Sequence, residues 1–108
     1  MELYWNDEHT RYAVLVSSGY GAGWSSWNQP ELAYDKRVIE YYMTHSPLTP
    51  REEVEAAMKQ FGYEDVYAGG WHKIHVDWVL ANAVWRMDEY DGAEHIEYLN
   101  LEQWNQFS

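Results

Sequence analysis

The stretch Tyr12-Ala13-Val14-Leu15-Val16-Ser17-Ser18-Gly19-Tyr20-Gly21-Ala22-Gly23-Trp24-Ser25-Ser26-Trp27-Asn28 decides how the chain is read. It opens as an unbroken apolar run, with Val14 and Val16 pointing one way and Ala13 and Leu15 the other. A strand that is apolar on both faces needs chain packed above and below it, so residues 11–18 read as a central strand. The run then breaks into a loop holding three of the chain's seven glycines and two of its seven tryptophans. A glycine turn between strand and helix either brings bare backbone N–H groups up to a ligand or simply lets the chain reverse.

Downstream, Asn28-Gln29-Pro30-Glu31 has the form of a helix start: Asn28 as the cap, Pro30 in the first turn, and Glu31 three residues after the cap. The helix is expected over about 29–45, with Leu32, Ile39 and Met43 as its buried stripe, widened by Val38 and Tyr42. His45-Ser46-Pro47 ends it, because a residue preceding proline is pushed out of the α region. Thr49-Pro50-Arg51-Glu52 is a capping box opening a second helix over about 50–61. Its apolar residues Val54, Ala57, Met58 and Phe61 fall at i, i+3, i+4 and i+7, and Gly62 stops it. The short linker makes the two helices a hairpin.

The remainder reads as strands. Residues 65–68 form a short one before the Gly69-Gly70 turn. Residues 72–79 alternate, with Ile74, Val76 and Trp78 inward and Lys73, His75 and Asp77 outward. Asp91-Gly92 suits a two-residue type I′ turn. Pairing outward from it sets Met87 opposite Ile96 and Trp85 opposite Tyr98 on one face. On the other face Asp88 meets His95 and Arg86 meets Glu97, so apolar faces apolar and opposite charges meet. The expected fold is α+β: a mostly antiparallel sheet of about five strands, with the two-helix hairpin packed on one face. Residues 1–108 are expected to be one domain, residues 1–10 an arm or edge strand, and Leu101 and Trp104 to tuck the tail back.

With 18 Asp and Glu against 7 Lys and Arg, the net charge is −11. Direct nucleic-acid binding by phosphate neutralisation is thereby excluded. Such acidity either only aids solubility or lets the chain imitate nucleic acid in a basic groove. Seven Trp, ten Tyr and two Phe exceed what a core of this size needs, so some belong at the surface. The absence of cysteine excludes disulfides and thiolate chemistry. Neither a signal peptide nor a membrane-length apolar run is present, so a cytoplasmic protein without membrane contact is expected.

For chemistry, His72-Lys73-Ile74-His75 has metal-ligand spacing on a helix, but in a strand its histidines point to opposite faces. The strand reading is favoured, and His95 is read as the partner of Asp88. Asp88, Glu89, Asp91, Glu94 and Glu97 crowd the hairpin, and Glu89 and Glu94 face each other beside the turn. Paired carboxylates divide acid and base work or hold a divalent cation; a solvated hairpin end is the plainer reading. No nucleophile–base pair is found, since the serines lack the Gly-x-Ser-x-Gly elbow. The loop glycines lack a dinucleotide fingerprint, and no Lys-Ser or Lys-Thr follows them. Tyr20, Trp24 and Trp27 either stack a base while the N–H groups near Gly21 and Gly23 meet its phosphates, or plug the core. The candidate binding residues are therefore Tyr20, Gly21, Gly23, Trp24 and Trp27 in the loop, and Asp88, Glu89, Asp91 and Glu94 in the hairpin. No catalytic residue, metal ligand or cofactor is assigned.

The run Ser18 to Trp27 resembles a family of small tailed-bacteriophage proteins with a Gly-Tyr-Gly-Ala-Gly-Trp-Ser-Thr-Trp loop. The likeness continues in Glu31 to Arg37, Asp65 to Trp71 and Trp85 to Glu94, covering most of residues 17–99. Ser26 stands where threonine is usual, and the N-terminal arm is longer. The resemblance brings no catalytic residues with it. What it implies is a phage accessory protein that disables a bacterial defence system, CRISPR immunity or similar, by non-catalytic binding. The partner is then either a host defence protein, met by the acidic surface, or a signalling nucleotide, held by the loop. The alternatives are a small metal-dependent or hydrolytic enzyme using the hairpin carboxylates with His72 or His75, and a virion structural protein. The oligomeric state is left open, a homodimer included.

Overall fold

The computed structural model describes residues 1–99. The elements follow one another as β1 (Arg11–Ser17), a 3₁₀ turn (Ser25–Trp27), a second 3₁₀ turn (Pro30–Ala33), α1 (Lys36–Thr44) and α2 (Arg51–Gln60). A third 3₁₀ turn (Trp71–Lys73), β2 (Ile74–Leu80), β3 (Trp85–Tyr90) and β4 (Ala93–Tyr98) complete the order. The class is α+β, as expected, but the described strands number four and form two separate antiparallel pairs, β1–β2 and β3–β4. Among the described residues the expected single sheet of about five strands is not present. The tail contacts expected of Leu101 and Trp104 lie outside the described residues.

The apolar run of β1 explains the layering. Its alternate residues Ala13 and Leu15 join a buried cluster with Trp24, Leu32, Val38, Ile39, Val54, Met58, Trp71 and Ile74. Val14 and Val16 face the other way, into a second cluster with Ala33 and Val79, against which Trp85, Met87, Ile96 and Tyr98 pack. Residues of both helices thus share a buried cluster with one face of β1, and residues of the β3–β4 hairpin pack against the cluster on the other. All five residues from Ala13 to Ser17 are buried. In β2, Leu15 pairs with Val76 and Tyr12 with Val79. The expected alternation does not run through the strand, because Trp78 is exposed and Val79 is buried in the second cluster. The arm folds back along the free edge of β1 through a Trp5–Tyr12 bridge, with Ala13 N donating to Tyr4 O at 2.9 Å.

Three local expectations change. The first helix begins at Lys36, because Asp35 and not Asn28 caps it, accepting from Arg37 N at 3.0 Å. The Pro30 signal produces only a 3₁₀ turn. The helix starts seven residues later than expected, and of the expected stripe within it Val38 and Ile39 are buried while Met43 is exposed. Second, Thr49 does not cap α2; its hydroxyl donates to Ser46 O, and Pro50 stands at the N-cap without a side-chain bond. The C-terminus of α2 behaves as read: Gly62, at φ 98°, donates to Lys59 O, and Tyr63 N donates to Met58 O. This bonding satisfies two helix-end carbonyls in a Schellman motif.

Third, residues 65–68 are not a strand. Asp65 takes a left-handed φ of 58°, and side chains satisfy the backbone in place of a neighbouring strand. Asn28 Oδ1 accepts from Tyr67 N at 2.8 Å while Asn28 Nδ2 donates to Tyr67 O, and Glu55 accepts from Ala68 N at 3.0 Å. Once those groups are paired, nothing requires a ladder there. His72 likewise lies in a 3₁₀ turn and not in β2.

Asp35 is buried and accepts from Arg37 Nη2 at 2.8 Å and from the Tyr63 hydroxyl at 2.6 Å. Burial pushes its carboxyl up, but hydrogen bonds from Arg37 and Tyr63 outweigh this and hold it below its ordinary value. A depressed pKa stabilises the fold fully above the unfolded value of about 4, and the effect is lost as pH falls towards the folded value. Asn caps a helix about as well as Asp, so Asp35→Asn is expected to cost about 1–2 kcal/mol at pH 7 through the weakened bonds to Arg37 and Tyr63. The difference from wild type should shrink below about pH 4, as read by urea unfolding at both pH values.

Candidate functional site

The two stretches singled out in the sequence meet in space. The β3–β4 register is the expected one, with Met87 opposite Ile96, Asp88 opposite His95 and Glu89 opposite Glu94. Asp91 and Gly92 have φ of 51° and 89°, as a type I′ turn requires. The tip of this hairpin is pressed onto the glycine loop. Gly21 N donates to Asp91 O at 2.6 Å. A Cβ on Gly92 would strike the Ala22 backbone, and one on Gly23 would lie 3.0 Å from Glu94 Oε2 and 2.6 Å from Ser26 Oγ. The glycines here serve chain-to-chain contact.

Glu94 is the centre of that contact. It is buried, only 3% exposed. Its Oε1 accepts from Ser17 N at 2.9 Å. Its Oε2 accepts from Trp24 N at 2.7 Å, Ser26 N at 2.9 Å and Ser26 Oγ at 2.5 Å. The loop does present its N–H groups to an anion, as a glycine-rich turn can, and the anion is the chain's own carboxylate. Opposite it in the ladder, Glu89 has separate donors, Trp27 Nε1 at 2.9 Å and Gly92 N at 2.7 Å. The Trp27 bond foremost, with that from Gly92, holds the Glu89 carboxyl below its ordinary value. Like charges directly opposite in a ladder normally repel; here each carboxylate is stabilised by its own hydrogen-bond donors.

The loop aromatics divide between core and surface. Trp24 is fully buried, donates through Nε1 to Leu32 O at 2.8 Å, and meets Trp71 edge-on at 5.6 Å. Trp71 in turn contacts Tyr41 and Tyr42. Trp27 is 43% exposed and stacks on Tyr67 at 6.2 Å, with the Arg51 guanidinium over the far ring at 5.2 Å. Tyr20 is 65% exposed and Tyr90 76%. Both exposed aromatics of the candidate set are tied to the hairpin tip, Trp27 through Glu89 and Tyr20 through the Gly21–Asp91 bond, and Tyr90, outside that set, is the residue before the turn. Glu89 and Asp91 are exposed around them.

So Tyr20, Trp27, Glu89 and Asp91 are exposed around the hairpin tip, Asp88 is exposed on the hairpin's other face with His95, Gly21 and Gly23 build the tip contact from behind, and Trp24 and Glu94 are interior. His72 and His75 do not join the hairpin acids; His75 Nε2 faces Asp77 at 3.2 Å. Sequence reading gave Tyr67 and Tyr90 no place in the site and took Asn28 as a helix cap; none of the three carries a periodic signal that marks its actual role. A cleft of about 380 Å³ between β1 and the hairpin is lined by Tyr12, Pro30, Ala33, Tyr34, Trp85 and Met87, and its one charged wall, Arg86, is paired with Glu97. No helix among the described residues is long and apolar enough to cross a membrane. Comparison with models of known families, with curated proteins and with solved structures gave no match.

Removing the Glu94 carboxylate strands four donors. Glu94→Ala is expected to lose about 3 kcal/mol or more, with formate or acetate at high millimolar concentration restoring part of the lost melting temperature. Trp24→Ala should cost about 3–5 kcal/mol as a core truncation. Trp27→Ala should leave the fold intact by circular dichroism, and calorimetric melting of the three variants separates core from surface.

Proposed function

We propose that the chain is a phage accessory protein that disables a bacterial defence system by non-catalytic binding. Its acidic, aromatic hairpin tip would occupy a basic nucleic-acid groove on a host protein. The observation that carries this reading is the gathering of exposed Tyr20, Trp27 and Tyr90 with exposed Glu89 and Asp91 around one hairpin tip. Tyrosine and tryptophan are the side chains that anchor interfaces, and a surface of one charge sign steers association with its opposite. The phage resemblance and the net charge of −11 point the same way.

The other binding mechanism, capture of a signalling nucleotide by the loop, has less support. The Trp24 and Ser26 N–H groups that would meet its phosphates already hold Glu94, and Trp24 is enclosed. A hydrolytic use of the facing carboxylates is disfavoured on the same ground, since Glu89 and Glu94 are engaged by Trp27, Gly92 and the loop.

The test is phage plating on hosts that carry a panel of defence systems, with and without this protein. Wild type should restore plaques against at least one system, and the triple variant Tyr20→Ala, Tyr90→Ala, Asp91→Asn should lose that effect while melting like wild type. Binding to the purified target should weaken steeply between low and physiological salt. Protection by the triple variant equal to wild type would refute the surface, and failure against every system would refute the reading.

A further inference from the structure

The outer face of the hairpin carries a second arrangement, independent of the proposed function. Asp88 and His95 lie directly opposite each other, and Glu97 follows His95 by two residues on the same face. One ligand atom from each, an imidazole nitrogen and two carboxylate oxygens, all lie within 4.8 Å of one another. His95 Nε2 stands 3.4 Å from Asp88 Oδ2. That is long for a charge-assisted hydrogen bond, which closes to about 2.7–2.9 Å. It is close to the edge of a tetrahedron built on metal–ligand bonds of about 2.0–2.1 Å, roughly 3.3 Å.

We infer that Asp88, His95 and Glu97 form a binding site for a borderline divalent transition ion such as Zn²⁺, with water completing the coordination. Three features favour it. The backbone register and the type I′ turn preset the three side chains, so little ordering remains for the ion to impose. Asp88 and His95 are solvent-exposed, which leaves an open approach and room for water ligands. An imidazole with two carboxylates selects Zn²⁺ and its neighbours over Mg²⁺, which prefers oxygen ligands alone. The opposing group is Arg86, whose Nη2 holds Glu97 at 3.1 and 3.2 Å from its two oxygens. The guanidinium and the ion compete for one carboxylate. Removing Arg86 is therefore expected to tighten the site, an effect that a chance surface histidine would not produce.

The experiment is isothermal titration of the chelator-treated full chain with ZnCl₂ at pH 7.5, repeated on four variants that keep the fold by circular dichroism. Wild type should bind one ion. His95→Ala and Asp88→Asn should each lose affinity at least tenfold, since a missing ligand costs no less than a missing outer-shell partner. Arg86→Gln should gain affinity, and His75→Ala, which alters the separate His75–Asp77 pair, should match wild type. The His95 ring resonances should shift on Zn²⁺ addition and not on equimolar Mg²⁺. Absence of binding, binding that survives in His95→Ala, or an Arg86→Gln variant that binds more weakly would each overturn the site.

Discussion

The Glu94 carboxylate sits where a charge is costly to keep, with no lysine, arginine or histidine among its hydrogen-bond partners. Four donors compensate for the lost water: three backbone N–H groups from Ser17, Trp24 and Ser26, and the Ser26 hydroxyl. The end of β1 and the glycine–tryptophan loop that follows it are thereby held at one point by the hairpin, 68 to 77 residues away in sequence. A backbone ladder between β1 and β4 would have joined the sheets without discriminating one register from another. A single carboxylate reaching between them does discriminate, because a slip of one residue would turn Glu94 to solvent and bury Ala93 or His95 in its place.

That one contact also explains the glycines. Gly23 leaves room for Glu94 and Ser26, and Gly70 approaches the carbonyls of Ala22 and Gly23 so closely that a Cβ would lie 2.7 Å from the former. The loop thus has the chemistry of an anion cradle and the anion is supplied internally. What remains for partners is the outside of the same structure, where the side chains that could not be enclosed, Tyr20, Trp27, Tyr67 and Tyr90, stand among exposed carboxylates. Core and surface are two sides of one loop, which is why its sequence reads equally well as either.

Side chains elsewhere take over hydrogen bonds that strands would otherwise make. Asn28 bonds both the N–H and the carbonyl of Tyr67, and Glu55 accepts from Ala68 N. The segment after α2 is held against the core, with Val66 and Ala68 buried, yet it is not a strand. The same substitution explains why Asn28 fails as a helix cap: its amide is engaged 39 residues away. Asp35, which does cap, has no stronger local signal than Asn28; only its bonds to Arg37 and Tyr63 distinguish it.

Local chemistry alone determined several things: the two-faced burial of β1, the extent of α2 with its Gly62 stop, and the whole register of the β3–β4 hairpin. Each rests on residues close in the chain, through alternation, helical spacing or a turn that demands positive φ, so the sequence carries it explicitly. The number of strands, the start of α1, the enclosure of Trp24 and the burial of Glu94 were decided by tertiary structure. A carboxylate in an acidic hairpin reads as solvated, because the donors that bury it lie 68 to 77 residues away. Hydrogen-bond satisfaction is a property of the folded neighbourhood, and composition and spacing do not encode which distant backbone will supply it.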